Sequence, residues 1–158
     1  MKILVFSDSH GNISLIKKAL KQNPDADAVI HAGDYARDMN FLTESGKEIY
    51  RVKGNCDYYD GFDEELIFEL EGVKILLSHG NIYGVKHSYD ALAAKAVECG
   101  ADIAIFGHTH DAFRANVFGA FLFNPGSINP YNAARFPSYG IIETGGADIL
   151  RADIINIV

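Results

Sequence analysis

The chain has 158 residues, enough for one domain with a sizeable core. Hydrophobic residues make up 48% and charged ones 22%, which tells against a disordered chain, and a net charge of −7 without a Lys/Arg block tells against a long nucleic-acid partner. No apolar run has the length of a membrane span, and the two cysteines, Cys56 and Cys99, form no CxxC, so a cytoplasmic protein without a membrane partner or a disulfide framework is expected.

The amino terminus, MKILVFSDSHGN, has a short apolar run stopped by polar residues and does not read as a leader peptide. KILVF (2–6) has the pattern of a strand buried on both faces. In NISLIKKALKQN, Asn12 is placed to cap a helix with Ile13, Ile16, Ala19 and Leu20 on one face, and Asn23-Pro24 stops it. DAVIHAGD (27–34) reads as a second strand, ARDMNFLTES as a short helix ended by Gly46, and EIYRVKGN (48–55) as a third strand. DEEL (63–66) reads as a solvated acidic turn. ELIFELEGVKILLSHG reads as a β-hairpin turning at Glu71-Gly72. SYDALAAKAVECG (88–100) is a helix capped by Ser88 and closed by Gly100, and DIAIFGHTH a buried strand entering a loop. AFRANVFGAFLFNPGS, YGIIETGG and ADILRADIINIV are strands separated by turns. With no repeat, linker or low-complexity segment, residues 1–158 are expected to form a single α/β domain with two packed sheets.

Five strand-to-loop junctions carry metal-competent residues: Asp8 and His10 in SDSHG, Asp34 in HAGD, Asn55 in KGN, His79 in LSHG, and His108 and His110 in GHTH. The carboxyl ends of parallel strands lie along one edge, where open α/β sheets bind ligands. If the chain is extended there, the i and i+2 spacing aims Asp8 with His10, and His108 with His110, at one point. Glycines beside them (Gly11, Gly33, Gly54, Gly80 and Gly107) permit close backbone approach. Mixed imidazole, carboxylate and amide oxygen suit Mn²⁺, Fe²⁺, Ni²⁺ or Zn²⁺ better than Mg²⁺ or Ca²⁺. Seven donors exceed one tetrahedral site and suit two cations sharing a carboxylate, an arrangement for in-line displacement at phosphorus.

The ordered set DSH, GD, GNCD, SHG and GHTH resembles the motifs of the calcineurin-like metallophosphoesterases: D-x-H, G-D, G-N-H-[DE], H and G-H-x-H. The short length and NPGS at 124–127 resemble the small prokaryotic phosphodiesterase branch (YfcE-type), over about residues 3–128. The resemblance implies a four-layer αββα sandwich of two mixed sheets with a dinuclear site at strand carboxyl ends. It implies that Asp8, His10 and His110 hold one cation, that Asn55, His79 and His108 hold the other, and that Asp34 bridges them. It implies two divalent metal ions, Mn²⁺ foremost with Ni²⁺, Fe²⁺ or Zn²⁺ as alternatives. It also implies hydrolysis of a small phosphodiester by in-line attack of a metal-bound hydroxide.

The chain departs from the family's commonest pattern at Cys56, where G-N-H-[DE] has a histidine near the substrate, and this Cys variant resembles the YfcE-type branch; Asn55, Cys56 and Asp57 are the catalytic candidates, with Asp57 matching the acid that orients that histidine. Cys56 reads as a nucleophile, a metal ligand, a redox switch or a small side chain beside the site, and the last is the commonest outcome. A thiol relays protons poorly, so modest catalysis on esters with good leaving groups is expected. Tyr58 and Tyr59 could wall a substrate pocket, and Ser127 in NPGS could approach the site. His31, His87 and Cys99 read as structural or surface residues. The competing function is a non-catalytic scaffold on the same fold, like the retromer subunit, whose metal site is degraded; here every ligand position is filled. The apolar stretch DIINIV leaves a homo-oligomer open.

Overall fold

Alternation within KILVF decides which layers meet. In the computed structural model, which describes residues 1–58 and 61–158, the chain runs β1 (Lys2–Phe6), α1 (Ile13–Gln22), β2 (Ala28–His31), a 3₁₀ helix (Ala36–Leu42) and β3 (Glu48–Arg51). It continues through β4 (Glu65–Leu70), β5 (Val73–Ser78), α2 (Asp90–Cys99), β6 (Ile103–Ile105), β7 (Phe113–Val117), β8 (Ala120–Asn124), β9 (Ser138–Gly145) and β10 (Asp148–Asn156). One sheet has the order β10-β9-β1-β2-β3 and the other β4-β5-β6-β8-β7. Both are mixed: β1, β2 and β3 are parallel and β9 antiparallel to β1, while β5, β6 and β8 are parallel and flanked by antiparallel β4 and β7.

Ile3 and Val5 of β1 face the second sheet, packing with Ile75, Leu77, Ile103, Ile105 and Phe123. Leu4 and Phe6 face the other way, against Ile16 and Ala19 of α1 and Met39 of the 3₁₀ helix. The second sheet repeats the pattern, with Leu76, Ala104 and Leu122 turned onto Leu92, Ala93 and Ala96 of α2. The period-2 direction of strand side chains thus builds two outer helical layers on two inner sheets, the αββα sandwich. No helix among the described residues is long and apolar enough to cross a membrane.

Several local expectations are corrected. Asn12 precedes α1 without a side-chain cap; its Oδ1 accepts instead from Ser14 Oγ at 2.7 Å. Ser88 is not the cap of α2, because Tyr89 occupies that place; Ser88 Oγ accepts from Asp90 N–H at 3.1 Å. ARDMNFL is a 3₁₀ rather than an α-helix. Glu65 and Leu66 belong to β4, so the acidic turn stops before them. The hairpin turns where expected, with Glu71 and Gly72 both at positive φ, as a two-residue turn of type I′ requires.

Candidate metal centre

The parallel strands β1 and β2 of one sheet and β5 and β6 of the other deliver their following loops to one edge. Asp8, His10, Asp34, His108 and His110 all adopt left-handed backbone there, with φ of 54, 45, 60, 67 and 59°. The chain is therefore not extended at the two i and i+2 pairs, and the convergence of these side chains has a different cause. A left-handed non-glycine residue costs of order 1–3 kcal/mol and persists only where its surroundings over-determine it. Close packing supplies part of that constraint. A Cβ at Gly54 would lie 2.1 Å from Asp34 Oδ1, and one at Gly107 would lie 1.9 Å from Ser7 Oγ and 2.7 Å from Asp8 Oδ2.

Asp34 is the hinge of the arrangement. Its Oδ2 lies 3.5 Å from His10 Nε2, and its Oδ1 lies 3.4 Å from His79 Nε2. On the first side, one donor atom each from Asp8, His10, Asp34 and His110 fall within 4.8 Å of one another. His110 Nε2 lies 3.2 Å from Asp8 Oδ1. Yet Asp8 Oδ1 and His10 Nε2 are buried without a hydrogen-bond partner among the described residues. Burying such atoms unpaired is costly, and a cation between them removes that cost.

On the second side, His79 Nδ1 lies 2.7 Å from the Ala32 carbonyl oxygen, which can only accept, so this nitrogen carries the proton. The other nitrogen, Nε2, faces Asn55 Oδ1 at 3.1 Å as well as Asp34 Oδ1. Two oxygens aimed at one imidazole nitrogen call for a proton or a metal ion between them. The His108 ring stands edge-on to His79 with centroids 4.9 Å apart. Donor chemistry and orphaned atoms therefore fit a divalent metal ion on the first side, while Asn55, His79 and His108 lie outside that cluster of four.

The charges reflect this crowding. Burial works against the charged form of Asp34, but His79 and His10 together with the Cys56 N–H outweigh it and hold the carboxyl well below the usual range. Burial opposes the charged form of Asp8 as well, and there His110, His79 and Ser7 overcome it and lower the carboxyl. His79 is raised in spite of burial by Asp34 and Asp8, and His110 is raised chiefly by Asp8. His108 is pushed down to about 4 by burial and by the neighbouring His79 and Lys86 charges.

Residues 55–57 divide their work. Asn55 turns its amide oxygen inward toward His79. Cys56 acts through its backbone, donating its N–H to Asp34 Oδ1 at 2.9 Å. Its half-buried thiol is pushed up to about 11 by burial and by the Asp34 charge, which makes it a poor nucleophile and a poor redox switch. Asp57 is buried, and its two carboxylate oxygens accept from Tyr35 N–H at 2.7 Å and Gly54 N–H at 2.8 Å. It ties the Asp34 turn to the Asn55 turn.

A second buried support has no obvious signal in the sequence, since its members lie far apart along the chain. Gly33 N–H donates to His31 Nδ1 at 3.2 Å, so His31 Nε2–H faces Ser9 Oγ at 2.9 Å. Ser9 Oγ donates to Asp38 Oδ2 at 2.7 Å, and Gly11 N–H donates to the same oxygen at 2.8 Å. This chain fixes both residues flanking His10 and the residue before Asp34. Burial pushes His31 down to about 4, keeping it neutral. Ser127 lies beneath the site, its hydroxyl 3.0 Å from the Asp8 carbonyl oxygen. Cys99 packs at the end of α2 and His87 is exposed. Tyr58 is exposed, and Tyr59 lies outside the described residues.

Residues 1–147 match the calcineurin-like phosphoesterase superfamily domain. The chain belongs to this family. It is 35% identical over 144 residues to the probable metallophosphoesterase YsnB of Bacillus subtilis, covering 90% of this chain and 83% of the relative. It is 25% identical over 183 residues to the phosphodiesterase YfcE of Escherichia coli, covering 99% and 93%. A predicted phosphoesterase structure from Streptococcus pneumoniae superposes with a TM-score of 0.78 at 30% identity, over 98% of this chain and 88% of that one. A single mutant of Vps29 from Entamoeba histolytica shares the fold with a TM-score of 0.77 at 22% identity, over the full length of both chains. The family uses divalent metals, in keeping with the cluster around Asp34.

Proposed function

We propose that the chain is a metal-dependent phosphodiesterase acting on small diesters, with residues 1–158 as one catalytic domain. The observation that carries this is Asp34, whose two oxygens face His10 on one side and His79 on the other. In this reading Asp8, His10 and His110 would hold one cation, Asn55, His79 and His108 would hold the second, and Asp34 would serve both. Mn²⁺ is the first choice, with Ni²⁺, Fe²⁺ and Zn²⁺ as alternatives. When bound, such cations would lower the pKa of water and neutralise charge that builds at phosphorus.

The protein's own residues constrain the reaction. The loops hold their donors in fixed, strained backbone, so little reorganisation is left for the chemical step. Asp57 and the Cys56 N–H keep the shared carboxylate in place. A thiol pushed up to about 11 gives little help to a departing alkoxide. Esters with good leaving groups are therefore the favoured substrates. The net charge of −7 disfavours a polymeric nucleic acid, and two free cysteines suit a cytoplasmic enzyme.

The test is hydrolysis of bis(p-nitrophenyl) phosphate with added Mn²⁺ or Ni²⁺, with and without chelator, beside elemental analysis. Metal-dependent turnover with two equivalents retained is expected. Absence of both turnover and bound metal would leave a scaffold role on this fold as the better reading.

A further inference from the structure

The long connection from β8 to β9, residues 125–137, is built into the metal centre. Ile128 N–H donates to the Ser7 carbonyl at 3.2 Å, and Ala134 N–H donates to the His110 carbonyl at 3.0 Å. The second bond fixes the next two residues, Arg135 and Phe136, beside His110. With His110, Asp111, Ala112, Ser138 and Asn156 they line a cavity of about 380 Å³ that opens next to the first half of the centre. That volume is in the range of small-molecule sites.

Two features of the cavity point to its occupant. The Arg135 guanidinium is exposed and takes no hydrogen bond, ion pair or ring contact among the described residues. Several cations elsewhere on the chain's loops and edges do have partners: Lys2 pairs with Asp25, Lys53 with Glu64, Arg114 with Asp153, and Arg151 with Glu143. In a chain of net charge −7, an unpaired guanidinium beside the site forms a local attraction for an anion. Asp111 is the carboxylate in the lining and makes no ion pair with Arg135 among the described residues. Phe136, in the same lining, is 61% exposed and presents a free ring face.

We propose that this cavity is a substrate subsite, in which Arg135 binds a second anionic group of the diester and Phe136 stacks on a planar ring that carries it. The inference rests on the phosphodiesterase reading and narrows its substrate class to ring-bearing diesters with an additional phosphate. Arg135 supplies a planar fork suited to phosphate oxygens, which a lysine does not match.

The test compares two chromogenic esters, thymidine 5′-(p-nitrophenyl phosphate) and the same compound with a 3′-phosphate, on the Mn²⁺-loaded protein. The expected result is a higher kcat/KM for the 3′-phosphorylated ester. Arg135→Gln should reduce the ratio between the two by about tenfold, Arg135→Lys should keep part of it, and Phe136→Ala should weaken both through KM. Equal ratios in the wild type and Arg135→Gln would overturn the subsite. Titration calorimetry with thymidine 3′,5′-bisphosphate and thymidine 5′-phosphate separates this from failure of the catalytic reading. If neither ester is hydrolysed, an Arg135-dependent preference for the bisphosphate still supports the subsite, and equal affinities overturn it.

Discussion

The two halves of the proposed centre meet at Asp34 but are built differently. His79 is fully buried, and its Nδ1 is tied to the Ala32 carbonyl, so its outward nitrogen has one fixed direction. His10 is only half-buried, and its Nε2 has no hydrogen-bond partner among the described residues. Its ring rests against Tyr35 with centroids 5.2 Å apart. On one side the direction of the imidazole is set by a main-chain hydrogen bond; on the other the flanking residues are fixed but the ring nitrogen has no such partner. A carboxylate with one oxygen in each half couples the two.

Removing the coupling has the largest expected effect. Asp34→Asn keeps the shape but takes away the charge that both halves use. Elemental analysis should find fewer than two equivalents of metal. Turnover should fall by more than the roughly 10–100-fold that loss of an outer partner costs. Two equivalents and near-normal turnover in this variant would mean that the halves bind independently.

The next pair of variants separates the halves. His79→Gln removes a buried ring and leaves the Ala32 carbonyl without its donor, a cost of about 1–3 kcal/mol in the cation-free protein. His10→Gln removes a partner-free nitrogen and should leave the thermal midpoint of that form nearly unchanged. Each should lose one equivalent of metal. Equal losses of thermal stability would show that the halves are not set differently.

How much of this is legible in the sequence depends on the range of the interaction. The alternation in KILVF is local, and it correctly implies burial on both faces of β1. The hairpin at Glu71-Gly72 is equally local. The ordered motifs bring the seven donor residues to one edge because strand order does so. Their mutual geometry is a different matter. Asp8 and His10 look like an extended pair in the sequence, yet both are left-handed, because the packing of Gly54 and Gly107 and the hydrogen bonds beneath the loops override the local preference. The chain from Gly33 through His31 and Ser9 to Asp38 joins residues 22 and 29 positions apart, and no periodicity announces it. His31 alone reads as a strand histidine, as it is, without showing what it supports.

Asp57 lies in a motif the sequence does expose, but its work is visible only in three dimensions. It holds Tyr35 N–H in the Asp34 turn and Gly54 N–H in the Asn55 turn, and it reaches both halves through the shared Asp34. Asp57→Asn leaves one of these amides facing an NH₂ group. Metal affinity should weaken by about 10–100-fold, with both equivalents affected together. Loss of only one equivalent, read by titration with Mn²⁺, would mean that Asp57 serves a single half.

Cys56 gives the smallest effect and the sharpest sign. Its N–H to Asp34 is a backbone contact, so a change of side chain leaves that bond available. The thiol itself, pushed up to about 11, stays protonated at neutral pH and is too weak an acid to assist a poor leaving group. Cys56→His places an imidazole where the family motif has one. The rate on alkyl diesters should rise, by about tenfold, below the 10²–10⁴-fold typical of a well-positioned acid because the surroundings are not built for the ring. On p-nitrophenyl esters, whose leaving group departs without a proton, the rate should stay within about twofold. A gain on both ester classes would point to improved phosphate binding instead. No gain on alkyl esters, with two equivalents of metal still bound, would show that leaving-group protonation does not limit the reaction.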